Sequence, residues 1–196
     1  MTTRFVLVCL LGALAMFLWT FVAHMVLPLG ETGIREIANE QPVLAAMQTA
    51  LGPNAGLYMF PGMGLGPHPT RQQQNDAMPQ YMKQFAGKPS GLLLYHPAGR
   101  EFSMGPMLVK EFLTELAEVF LALLLVTQTR LASFLSRVFF VTLLGVLAAI
   151  ATNVSYWTWY GFPGDYTLAY MTTQAVGFFC AGIVIAAGLR KKPRPA

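Results

Sequence analysis

Charge is what this chain has least of. Only 11% of its 196 residues are Asp, Glu, Lys or Arg, whereas 55% are hydrophobic, and the mean hydropathy is +0.50. Soluble domains carry roughly 25% charged residues. The deficit excludes an ordinary water-soluble globule and places the chain in the membrane class. The net charge of +4 is small, and much of it sits in the run Arg190-Lys-Lys-Pro-Arg194. No basic face with interleaved aromatics accompanies that run, which argues against a nucleic-acid partner. It reads instead as a topology determinant touching lipid headgroups.

Cysteine and histidine are scarce too. Cys9 and Cys180 each lie in an apolar run, without a CxxC pair. Two such residues build neither a disulfide scaffold nor a thiol-redox centre, and both read as small buried hydrophobes. Of the three histidines only His24 falls in an apolar segment, so a membrane haem would lack its second axial histidine. The CxxCH, HExxH, GxSxG, Walker A and dinucleotide patterns are missing, and Gly62-Met-Gly-Leu-Gly66 follows no strand–helix pattern. His68, His96, Glu101 and Asp165 are scattered candidates for surface chemistry on a lipid or quinone. They form no coherent set. The expectation is therefore no enzyme, no catalytic residue, no metal and no cofactor.

Four segments are long enough to cross roughly 30 Å of hydrocarbon as helices. They are residues 5–27, 107–127, 134–156 and 167–189. The first has too long an apolar core for a signal peptide and no Ala-x-Ala site after it, so it reads as a retained anchor. Arg4, Arg130, Arg137 and the run from Arg190 to Arg194 flank one set of ends, whereas residues 157–166 contain no Lys or Arg. The positive-inside rule then puts both termini in the cytoplasm and residues 28–106 outside. The aromatics Tyr156, Trp157, Trp159, Tyr160, Phe162, Tyr166 and Tyr170 gather at the outer ends of the last two spans. An interfacial belt is expected there, with a flat-ligand site as the sharper reading. Gly145, Ala148, Ala149, Gly177, Ala181 and Gly182 lighten these same two spans. Small residues let membrane helices approach closely, so a tight hairpin is expected.

The predicted fold class is an all-α membrane protein with four transmembrane helices and a small α+β extracytoplasmic cap between helices 1 and 2. The organisation is residues 1–29 as transmembrane helix 1, 30–105 as the cap, and 106–196 as helices 2–4 with a cytoplasmic tail. Within the cap, residues 41–51 read as a helix ended by Gly52-Pro53. Gly56-Leu-Tyr-Met-Phe-Pro61 and Gly91-Leu-Leu-Leu-Tyr-His-Pro97 read as short strands. They pair with each other, or the second pairs with residues 100–103. Residues 62–75, rich in Gly, Pro and Gln, read as irregular, and 76–85 as a helix interrupted early by Pro79. So small a cap cannot hold a large core and must lean on something else. Its methionines suit ordinary packing, with adaptable docking or soft-metal capture as the functional alternative.

The chemistry-bearing feature is a stripe of three glutamates, Glu111, Glu115 and Glu118, inside the second span. The i, i+4, i+7 spacing places them on one helix face. Each carboxylate in hydrocarbon costs about 2.5–3.5 kcal/mol by insertion scales, so the stripe needs partners, water or protons. Spans one and two run in opposite directions, which at roughly 1.5 Å per residue brings His24 to the depth of Glu111, and Gln174 of the fourth span falls near the depth of Glu115. Asn153 also falls in the outer half. The expected intramembrane polar cluster is thus His24, Glu111, Glu115, Glu118, Asn153 and Gln174. Beyond Glu118 the chain is apolar and only Thr142 is polar at that level, so a path across the whole membrane is not expected.

Two functions fit. The first is a small accessory or structural subunit of a larger membrane complex, docking through its extracytoplasmic loop and helix faces, with membrane lipids and other integral subunits as partners. The second is a transporter or ligand-binding protein using the carboxylates in an outer half-pocket. The expected location is a bacterial inner (cytoplasmic) membrane.

Overall fold

The computed structural model describes residues 3–189; the basic run from Arg190 to Arg194 lies outside the described residues. The described residues are mostly helical, 70%, and form six α-helices and a small two-stranded sheet. The chain forms two compact units, one from Met1–Arg35 with Ser103–Ala196, the other from Glu36–Phe102.

The first unit holds the long helices. These are α1 (Thr3–Phe21), continued by a π-helical turn (Val22–Val26), α4 (Met104–Gln128), α5 (Phe134–Tyr160) and α6 (Gly164–Gly188). Three stretches, Thr3–Val26, α5 and α6, are long and apolar enough to cross a membrane. Only 28% to 33% of their most apolar windows is buried inside the protein. Many of the remaining residues are exposed and apolar, such as Leu7, Leu14, Leu147 and Ile183, which is consistent with a membrane protein. Helix α4 is as long as α6, but Lys110 and the three glutamates keep it out of this set of apolar helices.

Helix α1 packs against α6 on one side and α4 on the other, and α5 packs on α6. The core lies toward one end of this array. It joins Val8, Cys9, Ala13 and Met16 of α1 with Val119, Ala122, Leu123 and Val126 of α4 and with Val141, Phe178, Ala181 and Ile185. Cys9 is buried there as expected, whereas Cys180 is only half-buried. A position two residues from Phe178 and one from Ala181 turns partly off the packed face of α6.

The same end is closed by two arginines. Arg4 Nε donates to the Gly188 carbonyl at 2.6 Å, and buried Arg137 donates to the Leu189 carbonyl at 3.1 Å and the Leu131 carbonyl at 3.0 Å. Cations at a helix C-terminus satisfy its free carbonyls and oppose the negative end of its dipole. The hairpin of α5 and α6 is tight. A Cβ on Gly145 would collide with the Cβ of Phe178, so glycine is what permits the approach. The α5–α6 turn is shorter than residues 157–166. Helix α5 runs on through Trp157, Trp159 and Tyr160 to Gly161, whose φ of 68° forms a left-handed C-cap, and α6 restarts at Gly164. Glycine reaches that region at little steric cost.

The second unit contains α2 (Glu40–Leu51), β1 (Gly56–Phe60), α3 (Arg71–Gly87) and β2 (Gly91–Tyr95). The two strands pair antiparallel with each other, Gly56 opposite Tyr95 and Phe60 opposite Gly91. The expectation of irregular chain to residue 75 is overturned: α3 begins at Arg71. Thr70 caps it, its hydroxyl accepting from the Gln73 amide while Gln73 Oε1 accepts from the Thr70 amide. This reciprocal box fixes the start of a helix rich in Gln, Met and Ala, which are good helix formers, and Pro79 sits inside the helix without ending it. Only Tyr95 is buried in this unit, its hydroxyl donating to the Gly52 carbonyl at 2.9 Å.

The Gly145 contact gives a direct test. Gly145→Ala should lower the thermal stability of the detergent-solubilised protein by the ~1–3 kcal/mol typical of overpacking. Gly105→Ala, where a Cβ meets nothing within 4 Å, should leave it unchanged or slightly raised.

Candidate functional site

Away from the core the helices leave a cleft of about 860 Å³. It is bordered by α1 and its π turn, the first half of α4, the last half of α5 and the first half of α6. All six residues of the expected polar cluster line it: His24, Glu111, Glu115, Glu118, Asn153 and Gln174. Thr20, Thr114, Thr152 and Thr173 add hydroxyls. Met16, Phe17, Phe21, Met25, Met104, Met107 and Leu108 supply an apolar wall. No Lys or Arg is among the described residues that line it.

The three glutamates differ in surroundings although they share a helix face. Glu111 is exposed, Glu118 half-buried and Glu115 only 3% exposed. Glu115 Oε1 accepts a hydrogen bond of 2.6 Å from the Thr20 hydroxyl. Its Oε2 is buried and has no hydrogen-bond partner. Leaving a buried acceptor unmet costs about 1–3 kcal/mol, and more if it is charged. Thr20 is the partner that sequence reasoning missed. Its signal was present: Thr20 stands one helical turn before His24, on the same face.

His24 lies on the π turn, half-buried, with Nδ1 2.9 Å from the Thr20 carbonyl oxygen. A carbonyl only accepts, so Nδ1 carries the hydrogen and Nε2 is left for another partner. Thr20 therefore links Glu115 through its side chain to His24 through its backbone. The ring of His24 also meets Tyr170 edge-on, at 6.2 Å between centroids. Tyr170 in turn ends a series of ring contacts through Tyr166, Phe162 and Tyr156 to Tyr160. Trp157 and Trp159 stand outside that series, 53% and 80% exposed.

Asn153 and Gln174 line the cleft but do not bond the glutamates. Asn153 Nδ2 donates to the Ala149 carbonyl and to Thr152 Oγ1; the Thr152 hydroxyl donates to the Ala148 carbonyl at 2.8 Å and lies 3.3 Å from Gln174 Oε1. The cleft thus holds two separately bonded polar groups, Glu115–Thr20–His24 on α4 and α1, and Asn153–Thr152–Gln174 on α5 and α6. A tie between α1 and α6 runs beside it, Trp19 Nε1 donating to the Thr173 carbonyl at 2.8 Å. Toward the core the polar groups stop. Thr142 turns its hydroxyl back to the Val138 carbonyl of its own helix.

Among the described residues no group of three or more His, Cys, Asp or Glu is placed to hold a metal ion. His68 and His96 are both exposed, and both belong to the second unit.

Fold and cleft together define a helical protein, consistent with a membrane setting, that carries an acidic, largely apolar-walled cleft on one side of a packed core. No protein-family model matches the chain, and no curated protein or solved structure matches it either.

The Thr20 contact is testable by substitution. Thr20→Val should destabilise the solubilised protein by about 1–3 kcal/mol, because it leaves both Glu115 oxygens unmet. Thr20→Ser should retain most of the stability. Equal melting temperatures for the two variants would show that the hydrogen bond contributes nothing.

Proposed function

We propose that this is a membrane-embedded binding protein or carrier that holds a small ligand in an outer half-pocket. The observation that carries the reading is that Glu115, a residue of the cleft wall, is also the one whose buried Oε2 has no partner among the described residues. Ligand sites are typically concavities of about 300–1,000 Å³ with apolar walls and a few converging polar groups. In this reading α4 is a fourth span. Its 25 residues reach about 37 Å at 1.5 Å per residue, enough for the hydrocarbon layer. Its carboxylates face the cleft, which is where charged groups inside a membrane belong. Both termini are then cytoplasmic, from Arg4, Arg130 and Arg137, and the second unit is an extracytoplasmic cap on, we suggest, a bacterial inner membrane. The apolar core beyond Glu118 supports binding from one side, not a continuous polar path.

An alkyl alcohol bearing a diazirine tests the pocket in membranes. Saturable photo-adducts are expected on Met16 and Met107, reduced roughly tenfold by Thr114→Phe, a change that fills the cleft. Adducts confined to outward-facing residues such as Leu7 and Leu147 would remove the pocket reading.

A second reading, an accessory subunit of a membrane complex, is favoured by the second unit itself. With Tyr95 alone buried, and Leu44, Leu57 and Met59 about half or more exposed, it gains little stability from its own core. A companion membrane protein docked on it would supply the missing burial. Purification from native membrane in mild detergent should then bring down a stoichiometric second protein. Migration as a lone monomer would count against that role.

A further inference from the structure

We infer that the ligand of the cleft is an amphipathic organic cation, an ammonium group attached to an apolar body, with the ammonium placed against Glu115. This inference rests on the binding reading above and names its ligand class. The walls contribute three carboxylates, and no Lys or Arg among the described residues answers them. The one buried side-chain oxygen without a partner among the described residues, Glu115 Oε2, belongs to a residue of this wall. It needs a donor, and a donor that is also a cation makes the stronger, charge-assisted bond.

The cation is not a bare metal ion. The three glutamates do not come together closely enough to share one, and hard cations take six or more oxygen ligands at short range. A cleft of about 860 Å³ is also far larger than an ion requires. The thioethers and rings of Met16, Phe17, Phe21, Met104 and Met107 reject a hydrated ion but accept a hydrocarbon body. Tyr170 adds an aromatic ring to the same wall, and aromatic faces attract ammonium groups. A neutral lipid tail would satisfy the apolar wall and leave Glu115 unmet. A small hydrophilic amine would do the reverse. Only the combined chemistry uses both halves of the wall.

Such an ammonium could be the headgroup of an aminophospholipid or a free lipophilic amine, and one binding experiment separates these. Labelled dodecylamine is titrated into the purified full-length protein in maltoside micelles, with 1-dodecanol as the neutral analogue of equal shape. Dodecylamine should bind at a single saturable site, and dodecanol roughly tenfold or more weaker, the ratio expected for a charge-assisted hydrogen bond. Glu115→Gln should erase that preference while leaving dodecanol binding intact. Should Glu115→Gln misfold, Glu115→Asp, which keeps the carboxylate but draws it back by one methylene, should shrink the preference several-fold without abolishing dodecanol binding. Competition by dilauroyl phosphatidylethanolamine, but not by dilauroyl phosphatidylglycerol, would identify the amine as a headgroup. Absence of competition by either would identify it as a free amine. Equal binding of dodecylamine and dodecanol, both excluded by Thr114→Phe, would overturn the ammonium and leave the pocket standing. No saturable binding of either to the folded protein would overturn both.

Discussion

The wedging of α1 between α4 and α6 is the constraint on which the rest of the first unit depends. Its early turns, from Val8 to Met16, meet the late turns of α4 and α6 in one apolar core. Such a core is close-packed, and side chains from these three helices and from Val141 of α5 must interdigitate there. The helices are therefore held together at that end, where Arg4 and Arg137 also cap α6. Toward the other end the α4 face changes from Val, Ala and Leu to Glu118, Glu115 and Glu111. Those side chains cannot pack as hydrocarbon does, and there the cleft lies.

The treatment of polar groups follows from the same apolar setting. Most hydroxyls in the long helices turn back to a carbonyl one turn earlier: Thr142 to Val138, Thr172 to Leu168 and Thr173 to Ala169. This hides a polar group without calling on a neighbour. Thr20 is different, because its hydroxyl reaches across to Glu115 on another helix. A hydroxyl committed between helices, a histidine on a π turn and an unmet carboxylate oxygen all occur within one cleft. The π turn fits that pattern, since such bulges recur at functional sites.

Much of the architecture was legible because it depends on local composition and period. Long apolar runs, Gly52 after an apolar helix and the paired Gly–apolar–Pro segments all specify structure within a few residues. The start of α3 was legible in principle, through the Thr70–Gln73 capping pattern, but Gly, Pro and Gln composition around it outweighed a four-residue signal. The α5–α6 turn reads as longer in the sequence than it is, since Trp157, Trp159 and Tyr160 resemble an interfacial belt whether or not they are helical. The four long segments are similar in length in the sequence. In composition α4 stands apart, because its charges lie every three to four residues along one face.

The sequence by itself determined that the chain is apolar, that its long helices exist, and that Glu111, Glu115 and Glu118 share one face of α4. Spacing at a fixed helical period is enough for that. It also limited the partners at similar depth to a few polar residues. The tertiary structure alone decided which of them meet. Thr20 reaches Glu115, whereas Asn153 and Gln174 bond within the α5–α6 pair and only border the same cleft. Depth along a helix is set by residue count, but rotation about its axis is set by how neighbouring helices pack. No single segment of sequence carries that information.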